Sequence, residues 1–327
     1  MSSTDPAGTA RRGVSAANDD SSVTMRQLQI ADDADGRATE PAGAGEPVQP
    51  DHRQPRRGGF RRLLGSELRL VFRRKRNLAL LAVLAGPPIL IGLAVRASAP
   101  RPGEGPNFLG QITGNGLFLV YTALTVSLPL FLPLAVGVVA GDSISGEAGT
   151  GTLRYLLTIP VGRARLLLAK AIGVFVFSAA AVMVVVVSGL VTGALLFGLH
   201  DLTLLSGDTV SLWNGLARTL GVAAYVITAL LGLIAVGMFV STLTEVPIAA
   251  MAATVAATII VEVLDAVPQI GSFRSVLFTH HWLGFGELLR PGVDVGSLTS
   301  WSLLQVAYVA VFGALAWARF TTKDITS

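Results

Sequence analysis

Residues 117–140 read LFLVYTALTVSLPLFLPLAVGVVA, and residues 141–170 continue GDSISGEAGTGTLRYLLTIPVGRARLLLAK. The first stretch carries no charge. As a helix rising 1.5 Å per residue it is long enough to cross roughly 30 Å of hydrocarbon. The second stretch interrupts this apolar run with glycines, polar residues and charges, and then a new apolar run begins at Ala171. A polar connection of that size with helix signals of its own is usually built to dock on something. Ser143 or Ser145 is expected to cap a short helix and Glu147 suits its first turn. Leu153, Leu156 and Leu157 then give a second helix an apolar side before Pro160 ends it.

Working outward, five further uncharged or nearly uncharged runs are long enough to span: residues 78–95, 171–199, 219–244, 246–264 and 301–318. The chain is 51% hydrophobic and only 14% charged over 327 residues, with a mean hydropathy of +0.62. Soluble domains carry roughly a quarter of charged residues, so the expected fold is an all-α integral membrane protein of six transmembrane helices. The fourth and fifth runs are separated by little more than Glu245 and Pro247 and form a tight hairpin. A cleaved leader is not expected, since the apolar run before Ala97-Ser98-Ala99 exceeds the usual signal core and more runs follow.

Lysine and arginine beside the spans set orientation. Arg61, Arg62, Arg69, Arg73, Arg74, Lys75, Arg76, Arg154, Arg163, Arg165, Lys170, Arg319 and Lys323 fall on one side. Arg96, Arg101, Arg218, Arg274 and Arg290 fall on the other, diluted by six acidic residues. Both termini and residues 141–165 are therefore expected in the cytoplasm, and the protein in the cell membrane. Residues 60–76 alternate Phe60, Leu63, Leu64, Leu68, Val71 and Phe72 with arginines at helical spacing. They read either as an amphipathic helix on the inner membrane surface or as an ordinary basic flank. Residues 1–59 hold nine acidic and seven basic residues with almost no aliphatic run, the composition of a disordered tail.

Several chemistries are excluded. There is no cysteine, hence no disulfide, thiol catalysis or cysteine metal site, and a net charge of +4 is too small to argue for nucleic acid. The three lysines, Lys75, Lys170 and Lys323, occur in no GxxxxGK[ST] context, so ATP, if used, is handled on another chain. His280 and His281 are adjacent, without an HExxH pattern or a carboxylate triad. A metal site there is set against an interfacial role beside Trp282 and Phe285. No metal, catalytic residue or cofactor bound by this chain is expected.

Glu262 is the one acidic residue inside an apolar run. It lies about 24 Å along the helix from residue 246, near the outer interface rather than the midplane. It reads as an interfacial or salt-bridging carboxylate, or as a substrate or proton contact. Ala249, Ala253, Ala256 and Ala257 put small side chains on one side of the same helix, a face suited either to a dimer contact or to packing within one subunit.

The segment 141–170 resembles the first cytoplasmic loop of ABC-2 type permeases, the membrane subunits of ABC exporters. The matching residues are Glu147, Gly151-Thr152-Leu153-Arg154, Leu156-Leu157, Pro160-Val161, Arg163, Leu167-Leu168 and Lys170, and the likeness extends over about residues 60–327. The inserted pair Gly149-Thr150 departs from the family pattern. The resemblance implies a coupling loop over residues 141–165, in which Ser143, Ile144, Glu147, Thr152, Leu153, Arg154 and Pro160 engage a separate ATP-binding subunit present in two copies. ATP and Mg would sit on that partner. It also implies a second permease, identical or related, with spans one and five meeting across the axis, which tips the Ala249, Ala253 and Ala256 face toward a dimer contact over packing within one subunit, and an outer segment at residues 265–300. Two competing classes remain: an ion- or proton-coupled secondary transporter using Glu262 and Asp142, and a membrane scaffold.

Overall fold

The computed structural model describes residues 59–98, 115–149, 162–203 and 209–322. The expected tail at residues 1–58, the loop residues Thr152, Leu153, Arg154 and Pro160, and Lys323 lie outside the described residues.

The chain is mostly helical. Helix α1 (Gly59–Arg73) is followed by α2 (Lys75–Leu84) and α3 (Gly86–Ser98), which make one apolar stretch broken at Ala85. Pro87 and Pro88 sit in the first turn of α3, where no N–H is needed. Helices α4 (Leu117–Ser127) and α5 (Phe131–Gly149) follow, then α6 (Arg163–Leu196). A two-residue strand pair, β1 (Leu202–Thr203) and β2 (Thr209–Val210), leads into α7 (Leu212–Ala229), α8 (Leu231–Leu243) and α9 (Pro247–Ala266). Two 3₁₀ segments, Pro268–Val276 and Trp282–Leu289, precede α10 (Val295–Thr322). Among the described residues five helices are long and apolar enough to cross a membrane, or six if the bent pair α4–α5 is one span.

Three expectations change in detail. Residues 117–140 do not form one straight helix: α4 and α5 meet at 54°. Pro129 at the bend and Pro133 two residues into α5 lack the N–H groups a continuous helix requires. Residues 141–149 are not loop but the continuation of α5. Ser143 and Ser145 therefore cap nothing; their hydroxyls donate back to the carbonyls of Ala140 and Gly141 at 2.7 Å. Finally, α6 begins at Arg163 and runs for 34 residues, about 51 Å, so its first two turns project beyond a bilayer core at the arginine-rich end.

Helix α5 is the centre of the bundle. Leu132, Val136 and Ala140 are fully buried, with α9, α8 and α6 around them. Small residues permit the closest contact: a Cβ on Gly141 would stand 2.8 Å from the Met251 Cα and 2.9 Å from the Ala250 carbonyl oxygen. The tight α8–α9 turn read from Glu245 and Pro247 is present, with Pro247 opening α9 after extended Val246. At the opposite end, Asn115 Nδ2 donates to the carbonyls of His200 and Asp201, while its Oδ1 accepts from Leu117 N–H.

Residues 265–300 fold into the bundle. Between α7 and α8 the helix breaks at Leu230, and side chains from elsewhere take up the freed backbone groups. Trp282 Nε1 donates to the Ala229 carbonyl at 2.9 Å. Gln305 Oε1 accepts from Gly232 N–H at 3.1 Å while its Nε2 donates to the Phe278 carbonyl at 2.8 Å. Within hydrocarbon a broken helix is tolerated only when such partners exist.

Candidate functional site

The first two turns of α6, the end of α5 and helix α1 come together around buried charges. Lys170, 3% exposed, lies between two carboxylates. Its Nζ is 2.5 Å from Glu147 Oε1 on α5 and 3.3 Å from Glu67 Oε2 on α1. One turn back along α5, Asp142, 5% exposed, is gripped by Arg76 at 2.7 Å and by Arg74. These two arginines flank the α1–α2 junction, where Arg74 is extended and Asn77 Nδ2 donates to the Val71 carbonyl at 2.9 Å.

Three carboxylates face three cations, so the cluster is neutral as a whole. That balance matters because an unpaired charge in a low-dielectric setting costs several kcal/mol. Ser241 of α8 adds a further tie, its Oγ accepting from Ile144 N–H and Ser145 N–H at 3.0 and 2.9 Å. A small cavity of about 30 Å³ lies among Glu67, Arg74, Asn77, Asp142 and Lys170, room for a single water or two.

Helix α1 is amphipathic as read, with Arg61, Arg62, Arg69 and Arg73 exposed. It is not merely laid on a surface. Its Phe72 ring packs 6.4 Å from Phe177 of α6, and Glu67 points from the same face into the cluster. Lys170 ties α1 and α5, separate in sequence, to the start of α6, and Asp142 ties α5 to the α1–α2 junction.

The expected coupling residues are thereby sorted. Glu147 belongs to the cluster, Ile144 is buried at 3% exposure, and Ser143 is half-buried. None of the three is presented to a partner on a loop. The reason is the continuation of α5 to Gly149. Asp142, set aside as an ion-coupling residue, has its carboxylate occupied by two arginines.

On α9, Ala250, Thr254 and Thr258 are the buried side, whereas Ala249, Ala253 and Ala256 are exposed. Among the described residues nothing covers Ala249, Ala253 and Ala256 of the small-residue face, while Ala257 is half-buried. Glu262 is half-buried on the same helix. His280 Nδ1 is 2.6 Å from Asp265 Oδ1, with Arg274 Nε at 3.4 Å from the same oxygen. His281 stacks on Trp301 at 4.7 Å, and burial, then His280, push its pKa below the usual value against a smaller opposing pull from Asp265. Among the described residues no three metal-ligating side chains converge.

Sequence reading passed over Glu67, although a signal existed. It is the only acid in α1, four residues after Leu63 and four before Val71, and so falls on the apolar stripe. Lys170 likewise stands inside a run of Leu and Ala.

The fold and this site define a multi-pass, helical membrane protein. Residues 105–326 match the model of the family described as protein of unknown function DUF2705, and the chain belongs to that family. No curated protein matches it.

Proposed function

We propose that the chain is the membrane subunit of an ATP-driven ABC exporter, an efflux permease of the cell membrane with six spans and both termini in the cytoplasm. The observation that carries this reading is the neutral cluster in which Glu67, Glu147, Lys170 and Asp142 are buried and Asp142 is held by half-buried Arg74 and exposed Arg76. It makes the projecting ends of α5 and α6 a stiff base for the short connection at residues 150–162. A force-transmitting segment needs that stiffness, since a loosely held loop would absorb the motion of an ATP-binding subunit. The resemblance of residues 147–170 to the ABC-2 coupling loop supports the same reading, now with contact assigned to the connection and rigidity to Glu147 and its partners.

In this mechanism two ATP-binding subunits, carrying ATP and Mg, close against each other and push residues 150–162. The cluster transmits the push to α1, α5 and α6, and a path opens between two permeases. The exposed Ala249, Ala253 and Ala256 face is the proposed permease contact. The chain itself catalyses nothing. Single cysteines in this cysteine-free chain test both contacts: at Leu153 they should cross-link to an ATP-binding chain, and at Ala253 to a second permease. A Leu153 cysteine that labels freely in membranes containing the ATPase, with no cross-link, would remove the coupling role.

A further inference from the structure

A second feature begins beside the cluster. Helix α10 packs chiefly along α8, and between these two and α6 runs a groove of about 220 Å³. It is lined by Leu167, Ala171 and Phe175 of α6, Ala235 of α8, and Gly313 and Ala316 of α10. Small residues on all three helices create the space, and a Cβ on Gly313 would meet nothing within 4 Å. The groove opens sideways, since its lining residues Phe175 and Val309 are 38% and 39% exposed. Its wall is apolar throughout, with no polar group to hold water in it.

One helical turn beyond the groove stands a cation. Arg163 stands four residues before Leu167, about 6 Å along α6, and its Nη1 donates to the Thr321 carbonyl at the end of α10 at 2.8 Å. The guanidinium therefore bridges the two helices at the mouth, and exposed Arg319 lies two residues before Thr321 on α10. Trp317, 51% exposed one turn from the end of α10, marks this level as an interface. None of α6, α8 or α10 contains an acidic residue. The charge of Lys170 is already held by Glu67 and Glu147, so the positive charge at the mouth has no protein counterpart on these helices.

We infer that this groove binds a membrane phospholipid with an anionic headgroup, one acyl chain lying along α6, α8 and α10 and the phosphate at Arg163. A dry slot open to hydrocarbon is filled by a lipid tail. A guanidinium fork already fixed by one carbonyl offers its remaining N–H groups to phosphate oxygens in bidentate fashion. Basic pockets between transmembrane helices select such headgroups. Because Ala171 follows Lys170 directly, the bound chain braces the segment of α6 that carries the charge cluster. The inference rests on the proposed function only for the leaflet, which is the inner one if the termini are cytoplasmic.

Native mass spectrometry of the full chain released from detergent, with phosphatidylglycerol or phosphatidylcholine of identical acyl chains, tests it. Phosphatidylglycerol should be retained about fivefold better, the effect of one arginine near a phosphate. Arg163→Gln should bring the two lipids level, Arg165→Gln, on the far side of α6, should leave the preference intact, and Gly313→Leu should lower retention of both. Inorganic phosphate should not compete. Equal retention by the native chain, a preference surviving in Arg163→Gln, unchanged binding in Gly313→Leu, or displacement by phosphate alone would each overturn the site. If Arg163→Gln fails to fold, the phosphatidylglycerol-dependent rise in unfolding temperature of Arg319→Gln, which should be smaller than that of the native chain, decides instead. No ATPase enters the measurement, so its failure leaves the exporter reading standing.

Discussion

Replacing Lys170 with Met removes the one cation shared by Glu67 and Glu147. Lys170 is 3% exposed and the two carboxylates 6% each, so neither can turn to water without opening the α1–α6 contact. Removing one partner of a buried pair costs about 3–5 kcal/mol, because a buried charge is left uncompensated. Here the two remaining carboxylates also confront each other, which places the cost at the upper end of that range. For a chain of this size that is a fall in unfolding temperature on the order of 10 °C. Thermal unfolding in detergent, followed by tryptophan fluorescence, reads it directly. The triple variant Glu67→Gln, Lys170→Met, Glu147→Gln should recover most of the loss, since neutral replacements of a buried ion set are often tolerated. A Lys170→Met protein within about 2 °C of the native chain, or a triple variant as damaged as the single one, would refute the reasoning that these charges are buried and mutually dependent.

Other consequences follow from particular contacts. Gly141→Val puts a side chain into the backbone of α9, where a Cβ alone would stand 2.8 Å from Met251 Cα. It should cost about 1–3 kcal/mol or more, while Gly65→Ala, with open space around its Cβ, should leave the unfolding temperature unchanged or raise it. Gln305→Leu leaves Gly232 N–H and the Phe278 carbonyl without their partner and should lower stability by about 1–3 kcal/mol, measured in the same melts. Burial, then His280, lower the His281 pKa, so it binds its proton less readily folded than unfolded. Stability should therefore be fully present above about pH 6.5 and decline as pH falls through the lowered folded value; His281→Phe should flatten that part of the pH–melting profile.

The spans were legible because uncharged runs near 20 residues have few other uses, and the α8–α9 turn because Pro247 cannot continue the preceding helix. What the sequence concealed was the difference between a loop and a helix that leaves the membrane. Asp142, Ser143 and Glu147 read as loop residues by polarity. Yet each polar group has a partner, in Arg74 and Arg76, in the Ala140 carbonyl or in Lys170, and so stays within α5. Arg74 lies 68 residues from Asp142, and Lys170, the partner of Glu147, also pairs with Glu67 across 103 residues, pairings no local pattern displays. The α4–α5 bend was signalled by Pro129 and Pro133. The break at Leu230 was not, since Leu230 is a good helix former and the break depends on Trp282 and Gln305 arriving from distant segments.

This chain is proposed to transmit ATP hydrolysis performed elsewhere. The most direct test is Mg-ATP hydrolysis by the material that copurifies with the tagged full-length chain from its own membranes in mild detergent, compared with a Leu153→Asp variant purified identically. A copurifying chain with a GxxxxGK[ST] loop is expected, with hydrolysis that falls severalfold in the variant while the variant inserts in the membrane as well as the native chain. Native protein that purifies without an ATP-binding chain and without hydrolysis, yet moves solute when an ion gradient is imposed on vesicles, would contradict it.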